Sequence, residues 1–226
     1  MSFFEYHVHP EVDPGGMAST LKTLGWNGAC FICKSLEEAE MFKKKLGKTG
    51  LDVAFGCKIE TKDPNSIPRI ARKIRKRAEI ILVHGGDLEI NRKACETPEI
   101  DILAHPELGR NDPGLDYVMA RLAKKNNVAI EFNFRGLLVS YKKSRSDVFS
   151  AMLENAKLVR KYKVPFIMTS GAIEHHGLRS PSELIAMGRV LGLESNFIKN
   201  SLSPVMLKEN RKRLGIKWIM PGVELE

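Results

Sequence analysis

The chain alternates short apolar runs with longer polar or amphipathic segments, and the clearest example lies near its centre. Residues 80–83 and 100–104 are apolar runs without internal alternation, and the segment between them has the polar character of a surface helix. Uninterrupted apolar runs of this length are typical of strands buried on both faces in a parallel sheet. The pattern therefore predicts a β-α-β unit over residues 79–107.

The same alternation continues on both sides of this unit. Further strands are predicted at residues 28–34, 51–60, 128–134 and 165–169, and a first strand contains His7 and His9. Helices are predicted at residues 36–47, 67–78, 114–126 and 147–162, another begins at Ser180-Pro181, and two short helices lie within 194–215. Seven strands that alternate with helices indicate an α/β fold, a TIM-like (β/α) barrel that is closed or incompletely closed.

The length of 226 residues suits one barrel of this kind. We therefore expect a single barrel domain over residues 1–226, with residues 194–226 as a helical C-terminal extension packed on it. Within the helices, Ser35 is a candidate N-cap and Pro113 is expected near the first residue of the helix 114–126.

Several predicted strands end in polar residues. These are His7 and His9, which share one face of an extended segment, and then Lys58, His84, His105, Glu131 and Ser170. In parallel α/β folds the carboxyl ends of the strands carry the chemistry, so these residues are candidates for a site. The alternative is that strand-end histidines simply satisfy loop carbonyls. A buried Glu131 requires a partner, and we expect Arg135 or a histidine.

The turn at Ser170-Gly171-Ala172 has two interpretations. Its small residues leave backbone amides available for an anion, but a tight turn alone would also require Gly171.

The net charge of +9 and the pI of about 9.4 favour a polyanionic partner, and nucleic acid is the commonest polyanion in cells. A basic but otherwise ordinary surface is the alternative. The helix 67–78 carries the strongest local signal, because the face opposite its apolar stripe holds cations without an interleaved carboxylate. These cations are Arg69, Arg72, Lys73, Arg75, Lys76 and Arg77.

Composition also excludes several classes of protein. No apolar run reaches the length of a membrane span and the first residues lack the features of a signal peptide, so we expect a cytoplasmic protein without membrane contact. Cys30, Cys33, Cys57 and Cys95 are expected to be buried thiols, because the C-x-x-C pair lies on a strand and no second pair completes a zinc site. No G-x-G-x-x-G follows a strand, which argues against a dinucleotide site.

The polar strand ends resemble those of the polymerase-and-histidinol-phosphatase superfamily of metal-dependent phosphoesterases, in which H-x-H opens the chain and an H-P strand end follows. His7, His9, His84 and His105 match this pattern. The resemblance implies a barrel whose histidines and carboxylates hold metal ions that activate water against a phosphate ester.

The chain departs from that pattern at two places. Lys58 stands where a bridging glutamate is expected, and residues 169–172 stand where an Asp-x-His pair would close the metal site. We therefore expect no metal cofactor in the protein. The histidines and Glu131 are then a relic polar cluster, and a residual metal site at His7, His9 and His105 is the alternative.

A second resemblance covers nearly the whole chain. The run Asn91 to Glu96, the strand at residues 101–103, Glu131 and the Ser170-Gly171-Ala172 turn are similar to the archaeal ribonuclease P protein component 3 family, the counterpart of the eukaryotic p30 subunit. The tail agrees, with Arg179-Ser180-Pro181, Leu191-Gly192-Leu193 and the helix from Ser203-Pro204 to Arg213.

This resemblance implies a subunit of the ribonucleoprotein endonuclease that removes the 5′ leader from precursor tRNA. The catalytic RNA would carry the chemistry with bound Mg²⁺. The protein would pair with component 2 and work with the other archaeal protein subunits to help the RNA hold its active fold, and neutralising phosphates with Lys and Arg is suited to that task.

We predict three groups of RNA-binding residues: one on the helix 67–78, one near strand ends and their loops, and one in the tail. They are Arg69, Arg72, Arg75 and Lys76; Lys34, Lys58, Arg92, Arg110 and Arg135; and Arg179, Arg211 and Arg213. Arg92 has an alternative role as a structural bridge to Asp101 or Glu96. Two other functions remain open from the sequence, an active metallophosphoesterase and a barrel enzyme that acts on small phosphorylated metabolites.

Overall fold

Seven parallel strands form one sheet in which each strand lies beside the next one along the chain. They are β1 (Phe4–Val8), β2 (Gly28–Cys33), β3 (Asp52–Ile59), β4 (Ile80–His84), β5 (Ile102–Ala104), β6 (Ala129–Asn133) and β7 (Phe166–Thr169). The computed structural model describes residues 2–215, 218–220 and 223–224. The parallel order confirms the predicted α/β barrel.

Helices follow the strands, and most of them cover the outside of the sheet. They are α1 (Pro14–Thr23), α2 (Leu36–Leu46), α3 (Ile67–Arg75), α4 (Leu88–Glu96), α5 (Tyr117–Asn126), α6 (Phe134–Val139), α7 (Lys142–Tyr162), α8 (Pro181–Val190), α9 (Ser195–Ser201) and α10 (Val205–Leu214). Short 3₁₀ turns lie at Pro64–Ser66 and His175–Gly177. None of the helices among the described residues is long and apolar enough to cross a membrane.

Side-chain caps fix the starts of several helices where the sequence predicts them. Ser35 accepts a hydrogen bond from the backbone N–H of Glu38, and Ser180 forms a reciprocal capping box with Glu183. The prediction that Pro113 opens α5 is wrong. Gly114 has a φ of +70° and packs tightly against Pro106, and α5 begins after the Asp116 cap.

Two apolar layers hold the barrel together. Inward-facing residues alternate along the strands and pack with one another, for example Ile80 and Leu82 with Ile102, while their neighbours Ile81 and Val83 face the helices. The larger of the two layers lies between the sheet and the helices, as expected when a parallel sheet is covered by its crossover helices.

All four cysteines are buried and unpaired, as predicted.

The barrel is nearly closed at the seam between β1 and β7. Val8 pairs with Ala172 in an isolated parallel bridge, and His9 N–H donates to the Ala172 carbonyl at 2.9 Å. Lower in the seam, the buried carboxylate of Glu5 accepts from the N–H groups of His7 and Ser170 at 3.1 and 3.0 Å. A side chain therefore takes the place of ladder hydrogen bonds where the two strands separate.

Polar contacts attach α10 to the strands. Asn210 donates to the Glu79 carbonyl at 2.7 Å and to Asp101 at 3.0 Å, and Arg211 contacts Glu79 and Asp52 at 2.6 and 2.7 Å. Near the end of the chain, β8 (Trp218–Met220) and β9 (Val223–Glu224) pair as antiparallel strands. Residues 216, 217, 221, 222, 225 and 226 of the predicted 194–226 extension, like residue 1, lie outside the described residues.

Candidate functional site

The carboxyl ends of the strands surround a cavity of about 300 Å³ at the mouth of the barrel. Histidines and cations from separate strands and loops line it, namely His7, His9, Lys58, His84, His105 and Arg135. The structure thus brings together around one cavity five of the seven strand-end residues that the sequence singled out, and Glu131 and Ser170 do not line it. Asn133 and Gly171 lie in the same wall, and Glu107 and Leu108 come from the loop after β5.

Glu131 lies beneath this cavity and is fully buried. Its Oε1 accepts from His7 Nδ1 and from the Thr169 hydroxyl, both at 2.6 Å, and its Oε2 lies 3.3 Å from His105 Nδ1. The partners are therefore histidines and not Arg135. Burial alone raises the pKa of Glu131, but the His7 and His105 rings and the hydrogen bonds from His7 and Thr169 outweigh it and hold the pKa well below its ordinary range.

His9, His84 and His105 have lowered pKa values, which favour the neutral form of their rings. Burial lowers the pKa of His9 to about 3, and the nearby His7, Lys58 and His105 add to the effect. Burial also lowers the pKa of His105 to about 4, although Glu131 acts in the opposite direction, and it lowers the pKa of His84. At neutral pH the positive charge at the mouth is therefore contributed by Lys58 and Arg135 rather than by these imidazoles.

Two further carboxyls near the mouth are shifted towards protonation. Burial raises the pKa of Glu107 to about 7, and burial raises that of Glu5 to about 7 against the opposing effect of its hydrogen bonds with Ser170 and His7. Some buried polar atoms have no hydrogen-bond partner in the described part of the chain; His7 Nε2, Asn133 Nδ2 and the Ser170 hydroxyl are among them.

The donor set does not fit a multinuclear metal centre. Within residues 2–215 the ligand atoms that lie close enough to share one ion come from His7, His105 and Glu131, which are within 4.8 Å of one another. Lys58 lines the same cavity and pairs with Glu60 at 2.7 Å, so an ammonium group faces the place where the resemblance to the phosphoesterases leads one to expect a bridging carboxylate. Residues 169–172, Thr-Ser-Gly-Ala, supply hydroxyls and a glycine turn and contain neither a carboxylate nor an imidazole. One imidazole-carboxylate group beside an ammonium does not suit a cluster of two or more cations.

The cationic face of α3 differs from the sequence prediction at one position. Arg75 is buried, and its guanidinium bonds to Asp101 and to the carbonyl oxygens of residues 78 and 79. The prediction that Arg75 lies on the exposed cationic face is therefore wrong, because the helix turns this side chain towards the start of β4. Arg69, Lys73 and Lys76 are exposed and have no ion pair among the described residues, whereas Arg72 contacts Glu99 at 3.1 Å.

Most of the other predicted RNA-binding cations have carboxylate partners. Arg92 lies 3.6 Å from Asp116, so neither Asp101 nor Glu96 is its partner. Lys34 pairs with Glu11, Arg110 with Asp112 and Arg211 with both Asp52 and Glu79. Arg213 donates to Asn210 and Arg179 to two backbone carbonyls, while the Arg135 side chain has no ion pair in the described region. Pairing does not exclude RNA contact, but it reduces the charge available for it.

Sequence reasoning missed Glu5, Glu107 and Thr169 as members of the polar mouth and seam. Thr169 faces Glu131 because the two occupy inward positions of adjacent strands, where Glu131 pairs in register with Ile167. The alternation rule applied to β6 and β7 together would have found it. Nothing local marks Glu107, whose burial depends on the packing of its loop.

Comparisons with known proteins agree with one another. The sequence profile of the family described as RNase P subunit p30 matches residues 2–213. Ribonuclease P protein component 3 of Methanococcus maripaludis (strain C7 / ATCC BAA-1331) is 40% identical over 169 residues, which is 73% of this chain and 73% of that protein. The protein of the same name from Methanococcoides burtonii is 33% identical, over 99% of this chain and 94% of that protein.

Solved structures give the same result. A chain from a cryo-EM structure of archaeal ribonuclease P with mature tRNA has a TM-score of 0.87 and 30% identity, over 98% of this chain and 96% of that chain. A protein from Listeria monocytogenes described as a histidinol phosphatase has a TM-score of 0.56 at 10% identity, over 77% of this chain and 96% of its own, which shows a shared fold alone. With a profile match from residue 2 to residue 213, the chain belongs to the RNase P subunit p30 family.

Proposed function

We propose that this chain is an RNA-binding protein subunit of ribonuclease P that assists removal of the 5′ leader from precursor tRNA and contributes no reacting group itself. The observation that carries the proposal is the likeness, over nearly the whole of both chains, to a chain of archaeal ribonuclease P with mature tRNA. The net charge of +9 supports contact with a polyanion. Component 2 and the other archaeal protein subunits are the proposed protein partners.

The mouth of the barrel supports the absence of independent catalysis. Hydrolysis of a phosphate ester in the superfamily that the strand ends resemble requires a metal cluster to activate water, and the resemblance places Lys58, which lines this cavity, where the bridging carboxylate is expected. Glu131 accepts hydrogen bonds from His7 and Thr169 through Oε1 and lies beside His105, and burial shifts the other two carboxyls near the mouth, Glu5 and Glu107, towards the protonated form. These residues are proposed to stabilise the barrel rather than to transform a substrate, and the holoenzyme RNA is proposed to use the Mg²⁺.

The test is cleavage of precursor tRNA by the ribonuclease P RNA and component 2 at limiting Mg²⁺, with and without this chain. Addition of the chain is expected to lower the Mg²⁺ needed for cleavage. The variant R69E/K73E/K76E reverses the cations on and just after α3 that have no ion pair among the described residues. It is expected to remove most of that effect, because phosphate neutralisation is lost.

A matched control makes the same change in net charge elsewhere. The control variant K124E/K125E/K161E alters exposed lysines at the C-terminal ends of α5 and α7 and is expected to behave as the wild type. Unchanged cleavage on addition of the wild-type chain, together with turnover of a phosphate ester by the isolated chain that His7→Ala abolishes, would instead favour the phosphoesterase.

A further inference from the structure

Residues 138–145 join the end of α6 to the start of α7 beside the cavity at the barrel mouth, and we name them the mouth segment. Val139 and Ser140 line the cavity, and the side chains that follow face solvent. Tyr141 is 70% exposed and Val139 is 61% exposed. An aromatic ring and an aliphatic side chain are thus exposed to solvent next to three cations, Lys142, Lys143 and Arg145.

The three cations of the mouth segment have no ion pair with any described residue. Arg145 donates to the Ser140 carbonyl at 2.9 Å, and Lys142 Nζ lies 5.2 Å from the centroid of the Tyr141 ring. Most of the cations that the sequence pattern had selected are, in contrast, compensated by carboxylates. The charge of the mouth segment therefore remains available to an anion.

The position of these cations works against the stability of α7. The positive end of a helix dipole lies at its N-terminus, where cations are unfavourable. Lys142, Lys143 and Arg145 occupy the first turn of α7, which contains no acidic residue, and Tyr141 supplies no side-chain cap. Lys43, Lys44 and Lys45 lie in the last turn of α2, where the dipole favours them. Helix stability explains the lysines of α2 but not the cations of the mouth segment.

The combination of an exposed ring and unpaired cations indicates which kind of anion would suit this surface. Unpaired nucleotides are recognised by stacking a base on an aromatic ring while neighbouring Lys and Arg contact the phosphates. Bases within a double helix are already stacked on one another and cannot cover such a ring. A folded protein partner would cover Leu138, Val139 and Tyr141, but three uncompensated cations match a phosphate backbone more closely.

We propose that the mouth segment binds an unpaired stretch of RNA, with a base stacked on Tyr141 and the adjoining phosphates contacted by Lys142, Lys143 and Arg145. The inference rests on the proposed role in ribonuclease P and assigns to it a contact surface beside the barrel mouth. Arg135, which lines the neighbouring cavity, extends the same cationic surface.

The first experiment measures binding of the full chain to a fluorescein-labelled single-stranded RNA and to a duplex of the same length, over a range of salt concentrations. K142E/K143E/R145E is expected to weaken single-strand binding and to reduce the slope of log K against log salt by about 2, since each lost phosphate contact on a single strand removes about 0.7. Tyr141→Ala is expected to weaken it roughly ten-fold without changing the slope, and to leave duplex binding unchanged.

The control K124E/K125E/K161E carries the same change in net charge at the opposite end of the barrel and is expected to retain single-strand binding. The thermal midpoint of K142E/K143E/R145E is expected to equal or exceed that of the wild type, because acidic residues are favoured in a first helical turn. Loss of RNA binding in a variant that folds at least as well separates recognition from stability.

The holoenzyme distinguishes failure of this inference from failure of the proposed function. If the wild-type chain lowers the Mg²⁺ requirement of reconstituted ribonuclease P but the mouth-segment variants bind RNA and assist cleavage equally well, the inference is overturned and the function stands. If those variants keep RNA affinity but bind component 2 more weakly, the surface belongs to a protein. If the wild-type chain neither binds RNA nor affects cleavage, the proposed function fails first.

Discussion

Glu107 is a buried carboxyl in the wall of the barrel mouth, and its ionisation makes the stability of the folded protein depend on pH. Burial raises its pKa to about 7 from an ordinary value of 4.5, so the folded protein holds the proton more tightly than the unfolded chain does. The contribution of this group to the free energy of unfolding is complete below pH 4.5 and is lost as the pH rises to 7. The free energy of unfolding then falls by up to about 1.4 kcal/mol per pH unit.

Glu107→Gln should therefore gain stability relative to the wild type as the pH increases over this interval, by up to about 3 kcal/mol in total. Urea unfolding of both proteins at several pH values from 4.5 to 8 measures the difference. His9 and His105 give the wild type slopes of opposite sign, but they are common to both proteins and cancel in the comparison. A difference that does not vary with pH would show that Glu107 is ionised at no cost.

At the same scale, the sequence predicts inward-facing residues well and buried loop residues poorly. Alternation along β6 places Glu131 and Asn133 on the cavity side, and the need of a buried carboxylate for a partner predicts Arg135 or a histidine, of which the structure shows the histidine. The exposure of Arg75 is predicted wrongly, because the helical period cannot show that Asp101 lies within reach at the edge of the apolar stripe. Such a partner comes from another element and is known only once the elements are packed.

At the scale of elements, the attachment of α10 to the barrel involves a buried asparagine, Asn210. Asn210 is buried and bridges the Glu79 carbonyl and the Asp101 carboxylate, which also binds Arg75. Asn210→Ala would leave both acceptors with one donor fewer in a buried place, and we expect the free energy of unfolding to fall by about 1–3 kcal/mol. Chemical denaturation measures it, and Lys208→Ala, at an exposed position of the same helix, is the control.

An equal effect of the two substitutions would show that α10 is held by its apolar face alone. Leu207 packs in the inner apolar layer of the barrel and supplies that contact. Helix starts marked by a local cap, such as Ser35 and Ser180, are predictable from sequence. The start of α7 at Lys142, ahead of the predicted residue 147, cannot be predicted in this way, because neither a side-chain cap nor an acidic first turn marks it.

At the scale of the whole molecule, hydrogen bonds between protein groups connect the first strand of the barrel to the last. The Val8–Ala172 bridge and the Glu5 carboxylate join β1 to β7, and the Glu131 hydrogen bonds connect β1, β6 and β7 at the mouth. Steady alternation of strands and helices predicts the barrel itself, since parallel strands with short right-handed crossovers leave few other arrangements. Closure at the seam depends on side chains from opposite ends of the chain, which no local pattern connects.

A bound metal ion would add to the stability of the folded state by mass action, and a chelator would remove that contribution. Because the Lys58 ammonium lines the same cavity and Oε1 of Glu131 already accepts hydrogen bonds from His7 and Thr169, we expect the thermal midpoint of the protein to be the same with and without EDTA. Scanning calorimetry of protein purified without chelator provides the measurement, and elemental analysis by plasma mass spectrometry of the same sample provides the control. Near-stoichiometric zinc or manganese together with a lower midpoint in EDTA would identify His7, His105 and Glu131 as ligands, and would make the mouth a working metal site rather than a hydrogen-bonded polar cluster.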